Sequence, residues 1–202
     1  MSTERAVVQS ESPVQTDGRR RRADVNRQRI VEAMMALVRE GEVFPSAEAV
    51  ASRAGVGLRT VFRLFSDMDG LYREMHATMI ARLTPIFSEP LGEGDWRYRL
   101  SALIGRRARL FEEMLPIKSA ADAHRYQSRY LQVEHEDLVA LLRQILTFTV
   151  PDPIRADTPL LDALDLALSF ESWRRLRYEQ KLDPAQAEAV MRLLADRLVA
   201  GF

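Results

Sequence analysis

The stretch SAEAVASRAGVGLRTVFRL, residues 46–64, leaves this chain less conformational freedom than any other. Ser46 can accept from the amides of a helix's first turn, which predicts a short helix over residues 47–53. Gly55 follows at a corner, where a positive φ costs glycine least. A second short helix is predicted over residues 58–65. Ala51, ahead of that corner, is small where the two helices must cross at close range. Val50, Ala54, Val56, Val61 and Leu64 supply a buried side, so Leu58, Arg59, Thr60 and Arg63 are left on the open face. Two short helices joined by a tight turn, with a longer helix before them, make the helix-turn-helix layout.

The remainder of the chain reads as helix. Ala, Leu, Arg and Glu dominate, and nine Gly and nine Pro in 202 residues are few for an all-β protein. Ile30, Val31, Met34, Leu37 and Val38 form a core-facing stripe from about Asp24, ended by Gly41. Ser66 with Asp69 gives an S-x-x-D capping box, which opens a longer helix through Leu71, Met75, Met79 and Leu83 to about Pro85. Further helices are predicted over residues 96–115, 117–123 and 124–148, with Pro116 separating the first two. TVPDPIRADTP is expected to be irregular, and helices over 160–180 and 184–200 close the chain, the last capped by Asp183 with Pro184 at its first position.

Charge is distributed unevenly. The net charge is zero, yet residues 19–65 hold ten Arg against five acidic residues, whereas the rest is mildly acidic. A basic front on an acidic body suits a module that meets a polyanion. Arg can bond the acceptor edge of guanine in bidentate fashion, and Thr can contact bases or phosphates, so the open face of residues 58–63 is read as DNA-facing. Residues 1–22 are expected to be a disordered arm ending in Arg19, Arg20, Arg21 and Arg22, which reaches an adjacent groove.

Residues 26–75 resemble the N-terminal domain of the TetR family of bacterial transcription regulators. The resemblance rests on Gly41, Ser46, Val50-Ala51 and RAGVGLRTVFRLFSDMDGL, in which Phe62-x-x-Phe65 and Leu71 fall where the family keeps an aromatic-x-x-Phe and a Leu. It implies an all-α homodimer with a helix-turn-helix domain over residues 23–66 and a helical ligand-binding and dimerisation domain over 67–202. The DNA-binding residues it implies are Ser46, Gly57, Leu58, Arg59, Thr60, Phe62 and Arg63, and the arginine run before them is expected to add an arm that compensates for weakened phosphate contacts. Three positions depart from the family: Gly57 stands for a Ser or Thr, Phe62 for a Tyr, and Met68 for a Lys. Each departure removes a group that grips phosphate.

For the back domain, the same resemblance places an effector pocket among the middle helices, with Met75, Met79, Trp96, Phe111, Met114, Tyr126, Tyr130 and Phe148 as candidate lining. The last two predicted helices carry Leu161, Leu164, Leu168, Trp173 and Leu193, read as a dimer interface. A regulator that reads two half-sites needs a dimer. These readings make the chain a ligand-responsive repressor that binds a palindromic operator and is released by a small-molecule effector. The alternative is a helical ligand-binding or dimerising protein whose DNA grip has weakened.

Other chemistry finds little support. With no Cys there is no thiol site or disulfide. His124 and His135 would lie about 16 Å apart on one helix, too far to share a metal, and EHED reads as a solvated helix face. No Ser-His-Asp layout, Gly-rich phosphate loop or H-E-x-x-H motif is present, so no enzyme, cofactor or metal is expected. No apolar run reaches the ~18 residues of a membrane span, and the arginines of the first segment adjoin no apolar stretch, so the chain is expected to be cytoplasmic.

Overall fold

The computed structural model describes residues 13–202, and every regular element among them is helical. α1 (Pro13–Arg39), α2 (Ala47–Ala54) and α3 (Leu58–Phe65) form the front. α4 (Met68–Phe87), α5 (Trp96–His124) and α6 (Arg129–Thr149) form the body, and α7 (Asp152–Ala156), α8 (Thr158–Ala167), α9 (Phe170–Arg174) and α10 (Pro184–Leu198) pack behind them. One continuous set of buried apolar side chains runs from Ile30 of α1 to Val199 beyond α10.

The front follows its local chemistry. The Ser46 hydroxyl accepts from Ala49 N at 3.1 Å and caps α2. Gly55 turns the corner at φ 64°, and the Val56 amide reaches back to Ala51 O at 3.1 Å. That pairing satisfies a carbonyl left open where α2 ends. The arm expectation requires correction: residues 19–22 are not disordered but continue α1, so Arg19, Arg20, Arg21 and Arg22 project from a helix. Residues 1–12 of the expected arm lie outside the described residues.

The body differs from the sequence expectations in four places. First, α4 is capped by Asp67, which accepts from Gly70 N at 2.8 Å, and not by Ser66, whose φ of 59° takes it out of capping geometry. Asp69 instead accepts from Ser128 on one oxygen and from Arg73 Nε and Nη2 on the other. Second, α5 runs unbroken through Pro116, because Met114 and Leu115 before it and Ile117, Ala120 and Ala121 after it bury into the same core. Packing along a whole face outweighs one lost helical hydrogen bond. Third, the proline-rich stretch forms α7, with buried Ile154 as its anchor and its prolines at helix starts, where a missing amide is harmless. Fourth, the expected helix over 160–180 breaks at Leu168: Ser169 starts α9 by accepting from Ser172 N at 3.1 Å, and a π-helical turn follows over Arg175–Glu179.

Arg107 holds that break in place. It is 1% exposed on α5, donating to Leu168 O at 2.8 Å and also to Leu142 O of α6. Burial lowers its pKa to about 10, which leaves it a cation at neutral pH. A buried charge without a bonded carboxylate is costly, and carbonyls left bare beside it would be costly as well. Arg107→Ala is therefore expected to lose about 3 kcal/mol of unfolding free energy in urea. Arg107→Met, which fills the volume without charge, should lose less. A loss under about 1 kcal/mol in the alanine variant would refute the bridging role.

Candidate functional site

α3 has one face anchored and one face bare. Val61 and Phe65 are buried against α1 and α4, with Leu64 half-buried beside them. Arg27 of α1 fixes the end of this helix: it donates to Leu64 O at 2.8 Å, lies 4.9 Å from the centroid of Phe65, and pairs with Glu74 of α4. Arg53 forks onto Glu40 at 2.7 and 2.5 Å, which ties α2 to the end of α1.

Leu58, Arg59, Phe62 and Arg63 are exposed together on the bare face, Phe62 to 46%, and Thr60 is half-buried. Their spacing of one, four and five residues gathers them on one side of a helix. Neither Arg59 nor Arg63 makes an ion pair among the described residues. Gly57 precedes α3 at φ −72°, ψ 145°, the ordinary geometry of a capping residue, but has no side chain to cap with. A Cβ built there would meet nothing within 4 Å. Ser46 stands exposed at the start of α2; its oxygen already accepts from the helix, leaving its hydroxyl proton to be donated outward.

The candidate pocket residues scatter. Met75, Met79, Phe111 and Met114 are buried core, Trp96 is half-buried at the other end of α5, and Tyr126 and Phe148 are 82% and 71% exposed. They do not line one cavity, because a helical stripe of Met and aromatics is first of all core. An apolar cleft of about 460 Å³ does open between α4 and α6, with Met114 of α5 between them. His76, Ile80 and Phe87 of α4 face Glu134, Asp137, Leu138, Leu141 and Ile145 of α6. Of the residues expected in a pocket, Met114 lines this cleft and Tyr130 adjoins it through a 3.2 Å contact with His76 Nδ1. Sequence reasoning missed the α6 wall, although its apolar spacing at residues 138, 141 and 145 is helical and its carboxylates precede it.

The expected dimer residues need a similar correction. Leu161, Leu164, Leu168 and Trp173 are buried within this chain, Leu164, Leu168 and Trp173 completely, so they cannot cover a second copy. Leu193 is exposed on α10, at 55%, as are Leu166 on α8 and Leu194 on α10. The stripe at residues 161, 164 and 168, expected to face a second copy, faces this chain's own core.

The histidines also move from their expected places. His135 turns inward: its Nδ1 lies 3.0 Å from Lys118 Nζ, and Lys118 also donates to Asp122. Asp122, His135 and Glu171 each bring a ligand atom within 4.8 Å of the others, but the Lys118 ammonium is bonded into the group and Arg125 lies 3.8 Å from Asp122. Two cations against two carboxylates neutralise this cluster internally, which gives it a structural role. His124 stacks on Tyr72 at 4.7 Å.

No described helix is long and apolar enough to cross a membrane. No protein-family model matches the chain, and no curated protein is similar to it in sequence. In fold it is similar to the crystal structure of a transcriptional regulator from Rhodococcus sp. Rha1, with a TM-score of 0.66 over 89% of this chain and 96% of that one. The two share 16% sequence identity, so the likeness is one of fold.

Proposed function

We propose that this protein is a ligand-responsive, DNA-binding transcriptional regulator of the TetR type, a repressor that binds a two-fold symmetric operator as a homodimer. The observation that carries the reading is α3, a helix pinned on one side by Val61, Phe65 and Arg27 while Leu58, Arg59, Phe62 and Arg63 stand bare on the other. A helix displayed in this way on a short partner helix is the arrangement that enters a major groove. The fold likeness to a transcriptional regulator supports it.

In this reading Arg59 and Arg63 meet base edges or phosphates, Thr60 and Ser46 donate to phosphate, and Leu58 and Phe62 pack on sugar or thymine methyl groups. The residues at 19–22 serve as a basic extension of α1 along the DNA backbone. The second copy joins through the outer faces of α8 and α10, where Leu166, Leu193 and Leu194 are exposed. An effector in the α4–α6 cleft biases α4, and α4 carries α3 with it away from operator spacing.

Selection of bound sites from random duplex DNA is expected to return a two-fold symmetric sequence, with affinity falling steeply as salt rises. Arg59→Ala and Arg63→Ala should each weaken the selected site by about 1–3 kcal/mol. Replacing the arginines at 19–22 with Gln should flatten the salt slope; an unchanged slope would remove them from the interface. Gly57→Ser should raise stability by about 0.4–1 kcal/mol, chiefly because a side chain restricts the unfolded chain at a backbone geometry it can adopt freely, with a few tenths from its hydroxyl capping α3, and should tighten operator binding. Leu166→Glu with Leu193→Glu should give a folded monomer in sedimentation, and a persistent dimer would place the interface elsewhere. If no sequence is enriched while the protein is dimeric and folded, the DNA-binding reading fails.

A further inference from the structure

The cleft between α4 and α6 carries its titratable side chains at one end and its largest apolar side chains along the rest. On α4 its wall runs through His76, Ile80, Thr84 and Phe87, and on α6 through Glu134, Asp137, Leu138, Leu141 and Ile145. The α6 row starts with two carboxylates and becomes apolar, and the α4 row opens on His76 and carries Ile80 and Phe87 further along, with Thr84 and Ser88 between and beyond them. The stretch from 134 to 145 covers about 16 Å of helix. The polar ends coincide, because His76 Nδ1 lies 3.3 Å from Glu134 Oε2. Met114, fully buried on α5, closes the cleft behind the two rows.

The charge at the polar end is unbalanced. Burial lowers the pKa of His76, so it faces Glu134 as a neutral imidazole at neutral pH. Tyr130, beside them, is also neutral, with burial raising its pKa. The two nearby cations are already committed, Arg73 to Asp69 at 2.8 Å and Lys118 to Asp122. Asp137 makes no ion pair among the described residues. Two carboxylates therefore stand at the mouth of an apolar slot without a matching positive charge, and a carboxylate next to apolar walls attracts a cation more strongly than one in open water.

We propose that this cleft takes an elongated amphiphile whose head is a protonated amine, seated between Glu134 and Asp137 with its apolar tail along Ile80, Leu141, Phe87 and Ile145. The assignment rests on the reading above for its role as effector, but the binding itself requires no DNA. An acidic or zwitterionic head would set a carboxylate against two others and is disfavoured by like-charge repulsion. A purely apolar ligand would fill the slot while leaving its two carboxylates without a counter-charge.

Titration calorimetry of the full chain with octylammonium, octanol and octanoate tests this with one tail and three heads. Octylammonium is expected to bind at least tenfold tighter than octanol, and octanoate weakest. Glu134→Gln and Asp137→Asn, both at accessible positions, should erase most of the octylammonium preference, lowering its binding far more than that of octanol. Equal binding of all three, a preference for octanoate, or a cation preference that survives both substitutions would overturn the proposal. Release of a selected DNA site by octylammonium is measured separately. Binding without release would refute the effector role alone, and absence of DNA binding would leave the calorimetric result standing.

Discussion

The body of this protein depends on α5 staying whole. α1, α4, α6, α9 and α10 all pack on it, and buried residues occur along its entire length, on both sides of Pro116. Arg107 makes that central helix more than a hydrophobic post, because its guanidinium reaches sideways to a carbonyl of α6 and to the carbonyl freed where α8 stops. Hydrophobic burial alone would allow these helices to slide. Two directional bonds from one buried cation set their register, and the α8–α9 break can exist because its loose carbonyl has a partner.

α4 belongs to both ends of the molecule. Its first turns hold the front through Glu74 with Arg27, and they hold the α5–α6 junction through Asp69 with Ser128 and Tyr72 with His124. Its later turns supply His76, Ile80 and Phe87 to the cleft. In the proposed mechanism a ligand wedged between α4 and α6 presses on the same helix that positions α3. No separate relay is required, since a helix transmits displacement along its axis through its own hydrogen bonds.

Much of the front was legible in the sequence. Ser46, Gly55 and the apolar spacing of residues 50–65 carry local instructions that act within a few bonds, and they place α2 and α3 within a residue of the structure. The body was less legible because its decisive contacts are distant in sequence. Pro116 signals a break unless the core on both sides is known. Leu161, Leu164 and Leu168 show an amphipathic stripe, but whether it meets this chain or another is decided by α10 and by Arg107. Met75, Met79 and Phe111 look like pocket lining by type and prove to be packing. Two local signals do lie in the sequence: Ser169 with Ser172, which starts α9, and Asp67, which caps α4 one residue beyond the expected Ser66.

Ser66 has a further consequence. It sits between α3 and α4 at a positive φ of 59° that side chains rarely adopt, and the amides on both sides are committed, Ser66 N to Phe62 O at 3.0 Å and Asp67 N to Phe65 O at 2.5 Å. A backbone held in so narrow a well is an elbow with a fixed angle, not a joint. The angle at which α3 leaves α4 is therefore set by one residue and its two bonded amides, within the backbone itself.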